Sequence, residues 1–246
     1  YISSIDDLQK IGNDPDYPID GYYELTQDLD ATDTINWNGG AGFAPIGTID
    51  TPFTGSLNGN KHSIVGLYIN RPSETYVGLL SCIGTEGIIQ NLALKNATII
   101  GGNFVGSIAG YNMSDAVISS CYASGTVSSL NYNTEGNAGG LIGHNAGTVQ
   151  QCFSKVDVWS PDYSAGLVGF NSGYIIQCYS RGKVNSSNYS LGLVGRNFGL
   201  VTQSYWDINA SGTNSSDGGI GKTTTNMKKQ ITFVDWDFTN VWGIVE

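Results

Sequence analysis

Four cysteines, two histidines and 21 carboxylates are the side chains of this 246-residue chain best equipped for chemistry. Their spacing argues against most of it. No Cys-x-x-Cys occurs, and His62 and His144 lie far in sequence from a ligand cluster with the cysteines, so neither a metal site nor a cofactor is expected. Asp28, Asp30 and Asp33 crowd together without an EF-hand loop or a Gly-rich calcium nonapeptide around them, and read as turn carboxylates. Glycoside hydrolysis needs two carboxylates at a set separation. The adjacent pair Asp6-Asp7 falls in a predicted helix. Asp115, Asp157 and Asp162 could approach one another on consecutive coils, with Arg181 or Arg196 to hold a carboxylate, yet each lacks a surrounding motif. No nucleophile elbow, phosphate loop or dinucleotide fingerprint occurs in a fitting context. The expectation is a chain that is not an enzyme.

A second set of residues could bind rather than react. Cys121, Ala123, Gly125 and Val127 alternate with Tyr122, Ser124 and Thr126. Cys152, Ser154, Val156 and Val158 alternate with Phe153, Lys155 and Asp157, and Cys178, Ser180, Gly182 and Val184 with Tyr179, Arg181 and Lys183. On a strand such parity separates two faces. The small and apolar series is expected inside, as a column of buried thiols or, in the competing reading, as disulfides between coils. The series holding every charge is expected outside. In register it forms an outward ladder of Tyr122, Phe153, Tyr179 and Tyr205, flanked by Lys155 and Arg181. Such a ladder could stack sugar rings. The favoured expectation is that it supports in-register coils or lies beneath a loop at Ser128–Asn137.

These residues need a scaffold that repeats, and the chain supplies one. Gly110-Tyr111-Asn112, Gly143-His144-Asn145, Gly169-Phe170-Asn171 and Gly195-Arg196-Asn197 each follow a short apolar run, and each precedes a Cys or Ser. The last two intervals are equal, while that from Gly110 to Gly143 is longer, with the surplus assigned to Ser128–Asn137. Ile88-Ile89-Gln90-Asn91 is aligned with Ile175-Ile176-Gln177-Cys178, which puts Asn91, Cys121, Cys152, Cys178 and Ser204 at one repeat position. A period of this size means stacked copies of one supersecondary unit, each burying its neighbour's apolar face.

Open solenoid ends expose core and unpaired edges, so covers are expected. Ser4 reads as an N-cap, Ile5, Leu8 and Ile11 as one helical face, and Gly12 as the stop. Tyr22 to Leu29 reads as the first strand and Asn38–Gly42 as a loop. Beyond Trp206 the repeat ends. Ala210–Asp217 reads as a flexible polar stretch, Thr225–Ile231 as a short helix, and Phe233, Trp236, Phe238, Val241 and Trp242 as cover residues. One domain is expected over 1–246, with an N-terminal cap at 1–20, coils at 21–206 and a C-terminal cap at 207–246, elongated and complete as a folding unit.

Bulk properties limit the partners. A net charge of −10 leaves no basic footprint for nucleic acid or an anionic membrane surface. No apolar run reaches the roughly 18 residues that suggest a membrane span. Only 13% of residues are charged and 34 are Gly, a composition common on secreted β proteins. Asn96, Asn112, Asn185, Asn188, Asn209 and Asn214 stand in glycosylation sequons.

The units Gly139-Gly140-Leu141-Ile142-Gly143-His144-Asn145, Ala165-Gly166-Leu167-Val168-Gly169-Phe170-Asn171 and Leu191-Gly192-Leu193-Val194-Gly195-Arg196-Asn197 resemble the GLUG repeat, as does Cys178-Tyr179-Ser180-Arg181-Gly182-Lys183-Val184. The likeness is strong over 104–206 and weaker over 53–99. The unit at 104–112 departs from it, with Ser107-Ile108-Ala109 in place of Gly-Leu-Val. The resemblance implies a right-handed parallel β-helix in an extracellular, adhesin-like surface protein, and it implies no catalytic residues. The function expected is a non-catalytic structural or adhesive surface module, possible layers, sheaths or filaments included. A carbohydrate-binding module or a polysaccharide-active enzyme is the alternative. Expected partners are copies of itself or other cell-surface components, with polysaccharide as a further candidate.

Overall fold

The computed structural model describes residues 1–131 and 136–243 of the chain. Among the described residues the strands fall into three sheets, of seven, thirteen and five strands, and every pairing within them is parallel. The protein is therefore a parallel β-solenoid with short helical caps. One coil shows the plan. Ile142–Asn145 lies in the five-stranded sheet, Thr148–Gln150 in the seven-stranded sheet and Phe153–Ser160 in the long sheet. Tyr163–Ala165 then returns the chain to the next coil.

The parity reading holds. Cys152, Ser154, Val156 and Val158 are buried, whereas Lys155 and Asp157 are exposed. Tyr122, Phe153 and Tyr179 are in direct register. The corner between the seven-stranded and long sheets corrects the expected alignment by one residue. Gln90 pairs with Ser119, Ser119 with Gln150, and Gln150 with Ile176. Asn91 thus aligns with Ser120, Gln151, Gln177 and Gln203, and Leu92 shares the buried position of the cysteines. The reason is backbone conformation. Asn91, Ser120, Gln151, Gln177 and Gln203 all take left-handed φ values, from 47° to 54°. That single residue turns the chain from one sheet to the next and aims its successor inward.

Two internal columns tie the coils together. The Cys121 and Cys152 amides donate to the Cys152 and Cys178 sulfurs, each at 3.4 Å, and the Cys178 amide donates to Ser204 Oγ at 3.1 Å. The thiols donate in turn to carbonyls two residues earlier, as Cys152 does to Gln150 at 3.1 Å. All four cysteines are free and buried. The second column is the Asn of each Gly-x-Asn unit. Asn112 Nδ2 donates to Asn145 Oδ1 and Asn145 Nδ2 to Asn171 Oδ1, both at 2.8 Å, across sequence separations of 33 and 26 residues. Asn171 continues the column to Asn197 at 2.7 Å. A buried amide that both donates and accepts satisfies itself only if each coil repeats it. Asn112, although a sequon, is fully buried in this column.

The N-terminal cover is as expected. Helix Ile5–Lys10 starts at Ser4, whose hydroxyl accepts from the Asp7 amide, and buries Ile5, Leu8 and Ile11. Gly12 follows at φ +76°, the left-handed stop that favours glycine. The expected first strand divides into Tyr22–Glu24 and Leu29–Asp30. Asn38–Gly42 overlaps the end of a 3₁₀ stretch, Thr32–Gly40, that is broken at Trp37, Asn38 and Gly39. Of the loop expected at Ser128–Asn137, residues 132–135 lie outside the described residues. Its first part continues the strand Tyr122–Ser129.

The C-terminal region splits into two parts with different tasks. Residues 208–222 cross the open end. Helix Ile208–Ser211 is capped by Asp207, Ser216 Oγ accepts from the Leu193 and Val194 amides at 3.1 and 3.0 Å, and Ile220–Lys222 pairs beside Tyr205–Asp207. The expected flexible stretch Ala210–Asp217 is therefore the closure that satisfies the last coil's backbone. Residues 224–243 then turn back along the outside of the long sheet, with helices at Thr224–Met227 and Gln230–Thr232.

The accessible surface is 10189 Å² for 26.1 kDa, close to the roughly 10,600 Å² of a compact monomer of that mass. The seven stacked strands, at about 4.8 Å each, rise ~30 Å.

Candidate functional site

The outward ladder is built by the long sheet. Tyr122 and Phe153 stack with ring centroids 4.2 Å apart, and Phe153 and Tyr179 with 4.9 Å and near-parallel planes. Tyr205 pairs beside Tyr179. Residues 233–242 lie across this ladder from its Tyr205 end. Phe233 meets Tyr205 edge-on at 5.3 Å, Trp236 packs on Tyr205 and Tyr179, and Trp242 reaches 6.3 Å from Phe153. This strap leaves Tyr205 only 3% exposed. Burial beneath it pushes the Tyr179 phenol up to about 12. Tyr122 and Phe153 stay half-open.

The strap also binds the left-handed corner. Gln177 Nε2 donates to the Asp235 carbonyl at 2.7 Å, Gln203 Nε2 to the Asp235 carboxylate at 2.9 Å, and Trp236 Nε1 to the Gln203 carbonyl at 2.9 Å. Beyond Trp242 the groove continues as a cleft of about 460 Å³ over Phe153 and Tyr122, bounded by Gln151, Asn91 and Lys61. On the other side of the strap, Arg181 and Lys228 border a smaller cleft with Tyr179 and Phe238. Lys155 is exposed on the strand beside Phe153.

Most of the carboxylates weighed for chemistry accept local hydrogen bonds. Asp157 accepts from the Lys183 amide at 2.9 Å and Asp162 from Asn188 at 2.9 Å. Asp115 lines a different groove, with Thr148, Tyr174 and Phe198. Asp28 accepts from the Ser63 amide, Asp30 from the Thr32 amide and hydroxyl, and Asp33 from Asn36. Hydrogen bonds from Ser63 and Thr32 hold the Asp28 and Asp30 carboxyls below their usual range.

Sequence reasoning missed a second ring column, on the five-stranded sheet. Cys82, Tyr111, His144, Phe170 and Arg196 are in register there. His144 stacks on Tyr111 at 4.4 Å and meets Phe104 and Phe170 at 5.3 and 4.7 Å. This apolar enclosure lowers its imidazole from 6.5 to about 4. The signal was present in the variable residue of each Gly-x-Asn unit.

The matches to known proteins agree with this architecture. The family model for the GLUG motif matches residues 101–128, which include the unit that departs most from the motif in sequence. Halomucin of Haloquadratum walsbyi is 43% identical over 143 residues, covering 57% of this chain and 2% of that protein. An Evansella cellulosilytica protein, provisionally named a Gly-rich membrane protein, is 37% identical over 112 residues, covering 44% of the chain and 13% of that protein. The chain thus spans a small part of the length of either relative. A Bacteroides ovatus structure, provisionally named an immunoglobulin A1 protease, superposes with a TM-score of 0.65 at 16% identity, over 100% of this chain and 91% of that one. At that identity the likeness concerns the fold alone. Motif, register and fold together describe a parallel β-solenoid that carries a match to the GLUG motif over residues 101–128.

Proposed function

We propose that the chain is a non-catalytic structural and adhesive module of a cell-surface or membrane-associated protein. The observation that carries this reading is the outer face of the seven-stranded sheet. Its two outward columns are Tyr22, Ser56, Ile88, Val117, Thr148, Tyr174 and Leu200, and Glu24, Asn58, Gln90, Ser119, Gln150, Ile176 and Thr202. Glu24 is its single charge. Tyr22, Tyr174 and Leu200 are 87%, 53% and 51% exposed. On a chain of net charge −10, a flat neutral face is where another copy can approach with least repulsion. The names halomucin and Gly-rich membrane protein support the location. The engagement of Asp157 and Asp162 in structural hydrogen bonds supports a role without catalysis.

The open Tyr122–Phe153 pair favours a second reading, a carbohydrate-binding module. Both readings meet one experiment. Purified protein is incubated with acidic and neutral polysaccharides while new reducing ends and unsaturated products are measured. No turnover is expected. Turnover abolished by Asp157→Asn or Arg181→Ala overturns the proposal in favour of an enzyme. Saturable polysaccharide binding without turnover, lost on Tyr122→Ala, moves it to the carbohydrate module. Surface labelling of intact source cells should reach the protein, and a protein found only inside the cell contradicts the location.

A further inference from the structure

We propose that the open half of the ladder groove docks an extended peptide from a protein partner, one carrying an aromatic residue beside a carboxylate. The proposal names the partner class for the adhesive role above and rests on that reading. The occupied half of the same groove shows what it takes. There the strap presents Asp235-Trp236: the carboxylate and carbonyl of Asp235 accept from Gln203 and Gln177, while the indole packs on Tyr205 and Tyr179.

The open half continues the ring ladder for two coils and the glutamine corner for one, with Ser120 and Asn91 at the corner positions beyond Gln151 and the Asn91 amide donating to Asn58. Gln151 continues the corner column next to Gln177, is half-buried, and has no side-chain hydrogen-bond partner among the described residues. Phe153 and Tyr122 continue the ring ladder. The next position along is Ala93, whose small side chain ends the ladder and lines the cleft beside Tyr122. Among the described residues Lys61 is the one charged side chain lining this cleft, and it offers an incoming carboxylate a counter-charge in a protein that is acidic overall. The cleft is continuous with the strap interface, since Val241, Trp242 and Gly243 form its wall. A ligand entering there meets the Phe153 and Tyr122 rings and the Gln151 amide, stacked as the strap's own partners are.

The test uses the intact chain and a labelled synthetic peptide with the sequence of residues 231–238, followed by fluorescence anisotropy. Saturable one-to-one binding is expected. It should weaken at least tenfold with Tyr122→Ala and with Gln151→Ala, and severalfold with Lys61→Gln. It should persist with Lys155→Ala, and it should fail for a peptide with both Asp replaced by Asn. Circular dichroism checks that each variant is folded. No saturable binding, or binding indifferent to both Tyr122→Ala and Gln151→Ala, overturns the proposal. So does an oligosaccharide that occupies the cleft in a Tyr122-dependent manner while the peptide does not. Polysaccharide turnover would defeat the functional reading whatever the peptide does. Absent peptide binding without turnover defeats only this inference.

Discussion

Position 204 holds Ser where three preceding coils hold Cys, and the hydroxyl makes the same two bonds as the thiols. It accepts from the Cys178 amide and donates to the Thr202 carbonyl at 2.8 Å. Cys152→Ser should therefore cost under about 1 kcal/mol, since both hydrogen-bond roles persist. Cys152→Asp should cost ~3 kcal/mol or more, because an unpaired carboxylate enters a buried column. Chemical denaturation of the two variants checks this, and near-equal midpoints would contradict the core-facing assignment. His144 offers a second residue-scale measurement. Its folded pKa lies below the ordinary value, so the unfolded chain binds more protons between them. Its contribution is full above pH 6.5 and is lost progressively as pH falls towards about 4. Allowing for partial exposure, the loss is about 1–2 kcal/mol. Melting followed between pH 7 and 4.5 should show this decline, and His144→Phe should flatten it while keeping the ring stack.

At the scale of elements, the five-stranded sheet depends on its asparagine column. Asn145 accepts from Asn112, donates to Asn171, and also donates to the Gly147 and Tyr174 carbonyls at 3.2 and 3.3 Å. Asn145→Asp keeps the shape and removes every donor. Its carboxylate would then face the Asn171 amide oxygen and two carbonyls in a dry interior. We expect a loss of about 3 kcal/mol or more at neutral pH, partly regained on acidification as the carboxyl protonates. Urea titrations at two pH values measure both parts. A neutral result at both would mean the column is not holding the coils. The long-sheet corner behaves differently. Its left-handed residue varies among Asn, Ser and Gln, so conformation rather than side-chain identity is what each coil preserves there.

For the whole molecule, the seven-strand stack rises only ~30 Å, so extended structures require many domains or many copies. On the proposed structural reading, the neutral face of the seven-stranded sheet is the contact to test. Placing two charges there, Tyr174→Glu with Leu200→Glu, should leave the fold and its melting nearly unchanged, because both side chains are about half exposed. It should lower the self-association seen by sedimentation at high protein concentration. Association equal to that of the unaltered chain would move the contact to another face.

The solenoid was legible because its causes are local and repeated. Alternation along one strand decides which side chain is buried, so Cys152, Ser154 and Val156 could be placed inward, and Phe153 and Lys155 outward, from parity alone. The Ser4 cap and the Gly12 stop were legible for the same reason. Register between coils was not local. Asn91 was misplaced by one residue because the left-handed corner, invisible in residue type, sets the alignment. The column through His144 was carried by the variable residue of each Gly-x-Asn unit, where Tyr111, His144 and Phe170 are rings but Arg196 and Cys82 break the pattern at either end. The strap was the largest omission. Phe233, Trp236 and Trp242 announced burial, but whether they would seal the open end or lie along the ladder depended on which surface remained uncovered. Residues 208–222 closed the end with backbone hydrogen bonds, and the rings took the remaining apolar groove. That long-range competition for surface, decided only when the chain is packed, divides the ladder into a covered half and an open one.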